Sequence, residues 1–293
     1  MRQEFLKEAI KKGDDALIEL CVSTDSYIPY RAVNYLGDKN PKGITKKIYN
    51  SWKRKIELNL EDPKVSDTML LSEDGSDMLD SLDWFLTWEM FGSEIRERHL
   101  DPTEADLLGM TFFLAKYEIR ELLEDPISQY ELDFSCEYLS QLSRSKTLRS
   151  YAQYEIQDSL KEIGQVIDQS NSCSWDGTVT PYTKALYAHS LSRADIPNTD
   201  LIWCARNLLG MMSAMKYWVV PPEVSCDSVV YTAKALEAVT RSEITNKSQF
   251  TTVDWLLQQQ GSDGLWEPTQ GWHGCYDGYT VAILEALNTV MTH

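Results

Sequence analysis

Apolar residues recur along most of the chain with the three- and four-residue spacing of amphipathic helices. Phe5, Leu6 and Ile10 share one side of a helix predicted over 2–12, which Gly13 is expected to stop before a second short helix over 14–21. A further helix with apolar residues from Tyr27 onward is expected to end at Gly37. Later segments with the same spacing predict helices over 127–142, 145–168, 181–193, 199–214, 226–240, 248–260 and 276–290. The pattern predicts an all-α protein.

The C-terminal part of the chain contains an internal repeat. Residues 234–238 align with 282–286 at an offset of 48, and the same offset pairs Trp218 with Trp266, Tyr231 with Tyr279 and Thr232 with Thr280. An earlier segment, 184–188, matches 234–238 at an offset of 50. A period of this length fits a pair of helices with their turns. About three helix-pair repeats are therefore predicted over 165–293, and the alternative is three unrelated helices rich in Ala and Leu.

Six such repeats would occupy the whole chain of 293 residues, which favours a single domain over 1–293. No repeat is visible before residue 165, so the N-terminal half contains either diverged repeats or a different helical arrangement.

A glutamine–glycine–tryptophan turn closes the last repeat. Residues 255–266 read Trp-Leu-Leu-Gln-Gln-Gln-Gly-Ser-Asp-Gly-Leu-Trp, and Gln169 and Trp175 keep the same six-residue separation as Gln260 and Trp266. This segment resembles the QW motif of squalene-hopene cyclases, oxidosqualene cyclases and the wider terpene-cyclase and protein-prenyltransferase family. The resemblance implies an (α/α)6 toroid, with functional residues at the N-terminal ends of inner helices that surround a central cavity.

Composition narrows the classes of partner. The net charge of −17 argues against binding of nucleic acid and of anionic membrane surfaces, although an acidic surface also simply favours solubility. No segment has the apolar length of a signal peptide or a membrane span, which predicts a cytoplasmic protein. The six cysteines form no CxxC pair and are expected to be free thiols.

The resemblance implies a catalytic acid at the start of an inner helix. Class II terpene cyclases protonate an alkene with the middle Asp of a DxDD motif, and in this chain Asp227 occupies the last position while Cys226 occupies the donor's. Asp227 or Asp277 is the expected acid, with His273 as a further catalytic candidate. The alternative role for Asp227 is an N-cap. Aromatic side chains stabilise carbocations. The candidate substrate-binding residues are Cys226 and the aromatic residues Trp175, Trp218, Tyr231, Trp272 and Tyr276.

The same resemblance leaves a zinc site open. In protein prenyltransferases and in lanthionine synthetase C-like proteins, Cys and His ligands hold a zinc ion that activates a thiolate, and Cys226 and His273 fall near those places. This chain has Val224 in place of the Asp of the prenyltransferase D-x-C motif. The alternative for His273 is a turn histidine making ordinary hydrogen bonds.

Two other charged segments have weaker functional interpretations. Asp77, Asp80 and Asp83 could hold Mg²⁺ and a diphosphate, or could be an acidic helix start favoured by the helix dipole. The basic helix predicted over 44–60 could face a phosphate, or could be a solvated outer helix.

The sequence therefore predicts a soluble cyclase of an isoprenoid or other apolar polyene substrate that needs no metal or other cofactor. The alternatives are zinc-dependent thiol chemistry and a non-catalytic binding or accessory module. The identity of the substrate and the existence of a partner subunit stay open.

Overall fold

A computed structural model describes the chain over residues 2–23, 30–39, 129–144, 146–170, 174–194, 196, 198–221, 227–244, 248–268 and 276–293. Within these ranges the secondary structure consists of nine helices without a strand, so the all-α prediction is confirmed there. The helices are α1 Arg2–Ser23, α2 Tyr30–Lys39, α3 Gln129–Leu142, α4 Lys146–Gln169, α5 Pro181–Arg193, α6 Asn198–Met211, α7 Ser228–Arg241, α8 Gln249–Gln258 and α9 Tyr276–Thr292.

The described helices alternate between an inner and an outer row. Helices α3, α5, α7 and α9 pack side by side in chain order, and α2 continues this inner row beside α9. Helix α4 packs against α3 and α5, α6 packs against α5 and α7, and α8 packs against α7. Helix α1 packs against α9 and α2. The three predicted C-terminal repeats correspond to the pairs α4/α5, α6/α7 and α8/α9.

The helices of the inner row are more completely buried than those of the outer row. Almost every residue of α5 and α7 is buried, whereas α8 buries only Thr252, Val253 and Leu256. A helix that is enclosed on all sides needs no polar face, which is why the inner helices carry the Ala- and Leu-rich segments of the repeat.

Local sequence explains where the inner helices begin. Helix α5 starts with a capping box in which Thr180 and Thr183 exchange side-chain and backbone hydrogen bonds, and Pro181 occupies the first turn. Helix α7 starts at Asp227, whose side chain accepts from the backbone of Val229. These caps satisfy backbone donors that the helix itself leaves unpaired.

The prediction that Gly13 separates two helices is wrong, because α1 runs continuously from Arg2 to Ser23. A Cβ at position 13 would lie 2.9 Å from a methyl of Leu284 and 3.1 Å from the ring of Trp266. The glycine therefore allows α1 to approach α9 closely and does not end the helix. Helix α2 likewise continues through Gly37 to Lys39, so the predicted stop at Gly37 is also wrong.

Several predictions lie outside the described residues, namely the basic helix over 44–60 and the Asp77, Asp80 and Asp83 cluster. Among the helices that the structure describes, none has both the length and the apolar character that crossing a membrane requires.

Candidate functional site

Trp266 ties the end of α8 to the start of α9. Its indole N–H donates to the carbonyl of Leu256 at 2.8 Å, and its backbone N–H donates to Oγ1 of Thr280 at 3.1 Å. The Thr280 hydroxyl in turn donates to the Trp266 carbonyl at 3.3 Å. The side chain is buried, so these bonds are shielded from water. The tryptophan of the QW-like segment therefore joins an outer helix to the next inner one.

Trp218 makes the same contacts one repeat earlier. Its indole N–H donates to the carbonyl of Leu208 at 2.8 Å, and its backbone N–H donates to Oγ1 of Thr232 at 3.1 Å. Each of these residues precedes its counterpart in the last repeat by 48 positions. The spacing found in the sequence thus corresponds to a repeated three-dimensional connection.

Gln260 of the QW-like segment also holds the N-terminal helix. Its side-chain amide donates to the carbonyl of Gly264 at 2.9 Å and to that of Ala9 at 3.1 Å. The Lys12 ammonium donates to the carbonyl of Gly261 at 3.1 Å. Gly264 has φ +96°, and a Cβ there would lie 2.7 Å from the carbonyl oxygen of Lys12. The turn therefore requires glycine in order to receive α1.

Four aromatic side chains meet near the starts of α5 and α7, and we call them the aromatic cluster: Trp175, Tyr182, Trp218 and Tyr231. Tyr231 is at the centre, with ring centroids 5.7 Å from Trp175, 6.1 Å from Tyr182 and 6.4 Å from Trp218. The first two contacts are edge-to-face, the arrangement that aromatic quadrupoles favour. The structure brings together the predicted residues Trp175, Trp218 and Tyr231, and adds Tyr182, which the sequence analysis did not single out.

Two members of the aromatic cluster are sealed from solvent. Trp218 and Tyr231 are both fully buried, whereas Trp175 and Tyr182 are half-buried. Only the half-buried pair is positioned to contact a molecule without rearrangement. The predicted substrate contacts of the other two stay predictions, while their packing role is shown.

Asp227 is the N-cap of α7, as one of the two predicted roles requires. Its Oδ1 accepts the backbone N–H of Val229 at 2.6 Å and the phenol O–H of Tyr279 at 2.8 Å. The residue is 1% exposed. Both partners donate to the carboxylate, which fixes its orientation between α7 and α9. Its role as a catalytic acid stays a prediction.

The remaining predicted site residues lie wholly or partly outside the described part of the chain. Cys226, Trp272 and His273 lie outside the described residues. Tyr276 and Asp277 fall in the first turn of α9, but their side chains are outside the description.

A narrow pocket lies between the inner helices, and its enclosed volume is about 10 Å³, which is room for about one water molecule. It is lined by residues of α2, α3, α5, α7 and α9: Arg31, Glu137, Gln141, Tyr182, Val230, Lys234, Gly278, Val281, Ala282 and Glu285. The lining mixes ionic groups with small apolar ones, and Tyr182 is its aromatic member. None of the predicted site residues belongs to it.

Beside this pocket lies a buried ionic network centred on Glu237. The Glu237 carboxylate accepts from His189 Nε2 at 3.1 Å and from Arg241 Nε at 3.0 Å, and pairs with Arg193 Nη2 at 2.8 Å. Although burial would raise it, the pKa of Glu237 is held well below its ordinary value by Arg193 and His189.

The network extends to Glu285 on α9. Glu285 pairs with Arg193 at 3.1 Å and with Arg144, in the turn after α3, at 3.2 Å. Burial would raise the pKa of Glu285, but the two guanidinium groups lower it to about 2. His189, Glu237 and Glu285 follow one another at intervals of 48 residues on three successive inner helices, which differs from the offset of 50 by which 184–188 was aligned with 234–238. This interval was the signal by which the sequence could have revealed the network.

The ligand atoms of His189, Glu237 and Glu285 lie within 4.8 Å of one another, close enough to share a metal ion. Arg193, however, already bridges the two carboxylates, so a divalent cation would have to compete with an existing guanidinium. The arrangement fits an ion-pair network better than a metal centre. Zinc binding at Cys226 and His273 stays a prediction.

No model of a known protein family and no curated protein sequence matches this chain.

We expect His189 to make stability depend on pH. Burial lowers the pKa of His189 from 6.5 to about 4. The unfolded chain therefore binds the proton more tightly, and stability falls as the pH falls from 6.5 toward 4. Urea unfolding at pH 7 and pH 5 should show that the wild type loses about 2 kcal/mol more than His189→Gln.

Asp133 titrates in the same window with the opposite sign, since burial raises its pKa to about 6. Its contribution is common to the wild type and to His189→Gln and is absent from the difference between them. An equal change in the two proteins would show that His189 is protonated without loss of stability.

Proposed function

We propose that this chain is an α/α toroid that cyclises a small isoprenoid-type substrate held between its inner helices. The two tryptophan connections at Trp218 and Trp266 support the toroid, because they join outer to inner helices as the QW resemblance implies. The ion pair between Arg31 of α2 and Glu137 of α3, at 2.9 Å, further supports it. This pair links the two ends of the described inner row and favours a closed ring.

One observation carries the proposal of a substrate site: Tyr182 belongs both to the aromatic cluster and to the pocket lining. A molecule bound at the mouth of the pocket can therefore contact the half-buried edge of the cluster. Aromatic faces stabilise positive charge, which is the requirement of a reaction that passes through carbocations. The aromatic cluster lies near the N-terminal end of α7, where Asp227 is the N-cap.

Asp227 is the proposed acid, and its replacement by asparagine separates chemistry from folding. An asparagine Oδ1 can still accept from Val229 and Tyr279, so Asp227→Asn should retain the cap and its thermal stability. Loss of the proton donor should lower turnover by at least about 100-fold. The assay incubates wild type and variant with prenyl diphosphates and uncharged polyenes and identifies products by gas chromatography and mass spectrometry.

Two comparisons make this experiment decisive. Asp277→Asn tests the other predicted acid by the same assay, and Asp227→Ala, which cannot cap, should be less stable by about 1 kcal/mol. Full turnover in Asp227→Asn removes Asp227 from the mechanism. Absence of any cyclised product from the wild type with every substrate would overturn the cyclase proposal.

A second candidate function is a non-catalytic binding module. The satisfied hydrogen bonds of Asp227 and the narrowness of the pocket favour it, because both describe a site that is already closed. Saturable binding of a polyene, without a change in its structure after prolonged incubation, would support this candidate over the enzyme.

A further inference from the structure

Lys234 places a buried ammonium group in the lining of the pocket. The residue lies in the middle of α7 and is 5% exposed. Within the part of the chain that the structure describes, no residue forms a hydrogen bond or an ion pair with this ammonium group. A buried ammonium without hydrogen-bond acceptors is strongly unfavourable. The group therefore requires an acceptor inside the pocket.

Glu137 of α3 supplies an unused acceptor to the same lining. Its Oε1 accepts from Arg31 at 2.9 Å, and no described residue donates a hydrogen bond to its Oε2. Burial lowers the pKa of Lys234, and the charge of Glu137 opposes this shift. The two side chains therefore attract each other across the pocket without forming an ion pair.

Gln141 adds a second donor one turn further along α3. The residue lines the pocket and is 5% exposed, and its side-chain carbonyl accepts from Arg144 at 3.3 Å. This bond leaves the side-chain amide N–H groups without an acceptor among the described residues. The pocket therefore combines two donor groups, on Lys234 and Gln141, with one acceptor on Glu137.

The size and charge of the pocket both favour a water molecule as the ligand. The enclosed volume of about 10 Å³ holds about one water. The lining is neutral, because Arg31 and Lys234 balance Glu137 and Glu285. A bound cation would lie beside the Lys234 ammonium, and a bound anion would lie beside the Glu137 carboxylate, so an ion of either sign would be repelled. A water molecule carries no charge and can both accept and donate.

We infer that the pocket binds one water molecule, which accepts from the Lys234 ammonium and donates to Oε2 of Glu137. The Gln141 amide is the further donor in the lining, so the water has the two to four polar partners that buried waters usually have. The water joins α3 to α7, beside the Arg31–Glu137 pair that joins α2 to α3. This inference concerns hydration of the pocket and does not depend on the cyclisation proposed above.

A high-resolution crystal structure of the wild type at pH 7 tests the inference. One density peak should lie about 2.7–3.2 Å from both Lys234 Nζ and Glu137 Oε2. Its displacement parameter should be similar to those of the two side chains. No peak between these atoms, or a direct ion pair between Lys234 and Glu137, would overturn the inference.

Magnetic relaxation dispersion of oxygen-17 water gives an independent test, because it counts long-lived internal waters in solution. Ala282→Val adds methyl groups to the pocket lining and should occupy the room of the water. The variant should therefore hold one long-lived water fewer than the wild type.

Ala9→Val is the matched control for this count. Ala9 is 7% exposed and Ala282 is 6% exposed, but Ala9 lies on α1 and is not part of the pocket lining. Its replacement should leave the number of long-lived waters unchanged. Equal numbers in the wild type and in both variants would contradict the inference. If Ala282→Val does not fold, the crystal structure of the wild type decides the question by itself.

Discussion

Replacing Glu237 with alanine should lower the free energy of unfolding by about 3–5 kcal/mol. The carboxylate is fully buried and is the common partner of Arg193, Arg241 and His189. Its removal takes away the carboxylate that pairs with Arg193 at 2.8 Å and leaves that guanidinium with less negative charge around it. Glu237→Gln keeps the volume and a hydrogen-bond acceptor, so its effect should be smaller but of the same sign. Urea unfolding at pH 7 measures both.

Glu19→Ala serves as the control, since Glu19 is exposed on α1 and should change stability by less than about 0.5 kcal/mol. Arg193 is 16% exposed and Arg241 is 32% exposed, so both can recover some contact with water. A loss below about 1 kcal/mol for Glu237→Ala would mean that this recovery is nearly complete. The network would then be a hydrated cluster and not a sealed one.

The helices and their repeat could be predicted because their signals are local. The spacing of apolar residues reports which side of a helix is enclosed, and the recurrence of Trp and Thr at an offset of 48 reports a connection that is built twice. Trp218 and Trp266 confirm this, since each bonds to a threonine 14 residues later in the chain. The N-cap role of Asp227 was predictable for the same reason, because a cap involves only its own helix start.

Two kinds of feature could not be predicted from neighbouring residues in the sequence. Gly13 is a helix breaker by propensity, but its role is set by Trp266 and Leu284, which are far away in sequence and close in space. The inner helices carry Lys234, Glu237 and Glu285, and charged residues are usually exposed. Both glutamates are paired with Arg193 of α5, and Glu285 is paired with Arg144 as well, so their burial depends on residues from other parts of the chain.

The ionic network was also difficult to recognise from residue types alone. The first member is a histidine and the other two are glutamates, and the offset of 50 predicted for the first repeat places His189 opposite Val239 and not Glu237. The three side chains converge because the inner helices pack side by side in register. The candidate pocket consequently has ionic walls where an aromatic, apolar lining was expected.

Replacing Trp266 with alanine should lower the free energy of unfolding by about 3–5 kcal/mol. The side chain is 1% exposed, packs against Gly13 of α1, and donates its indole N–H to Leu256. The substitution removes this bond and leaves a cavity where three helices meet. Trp266→Phe retains much of the volume and should lose less. Urea unfolding followed by circular dichroism gives the free energies.

The two tryptophan variants should differ in which helices are destabilised. Trp218→Ala should be destabilising to a similar extent, because Trp218 has the same burial and the same indole hydrogen bond. Trp266 alone of the two contacts α1, which Gln260 and Lys12 hold against the same turn. Hydrogen exchange should therefore accelerate in α1 for Trp266→Ala, and near α6 and α7 for Trp218→Ala. Identical exchange patterns in the two variants would show that the helices unfold as one cooperative unit, in which the last turn has no separate role in holding the N-terminal helix.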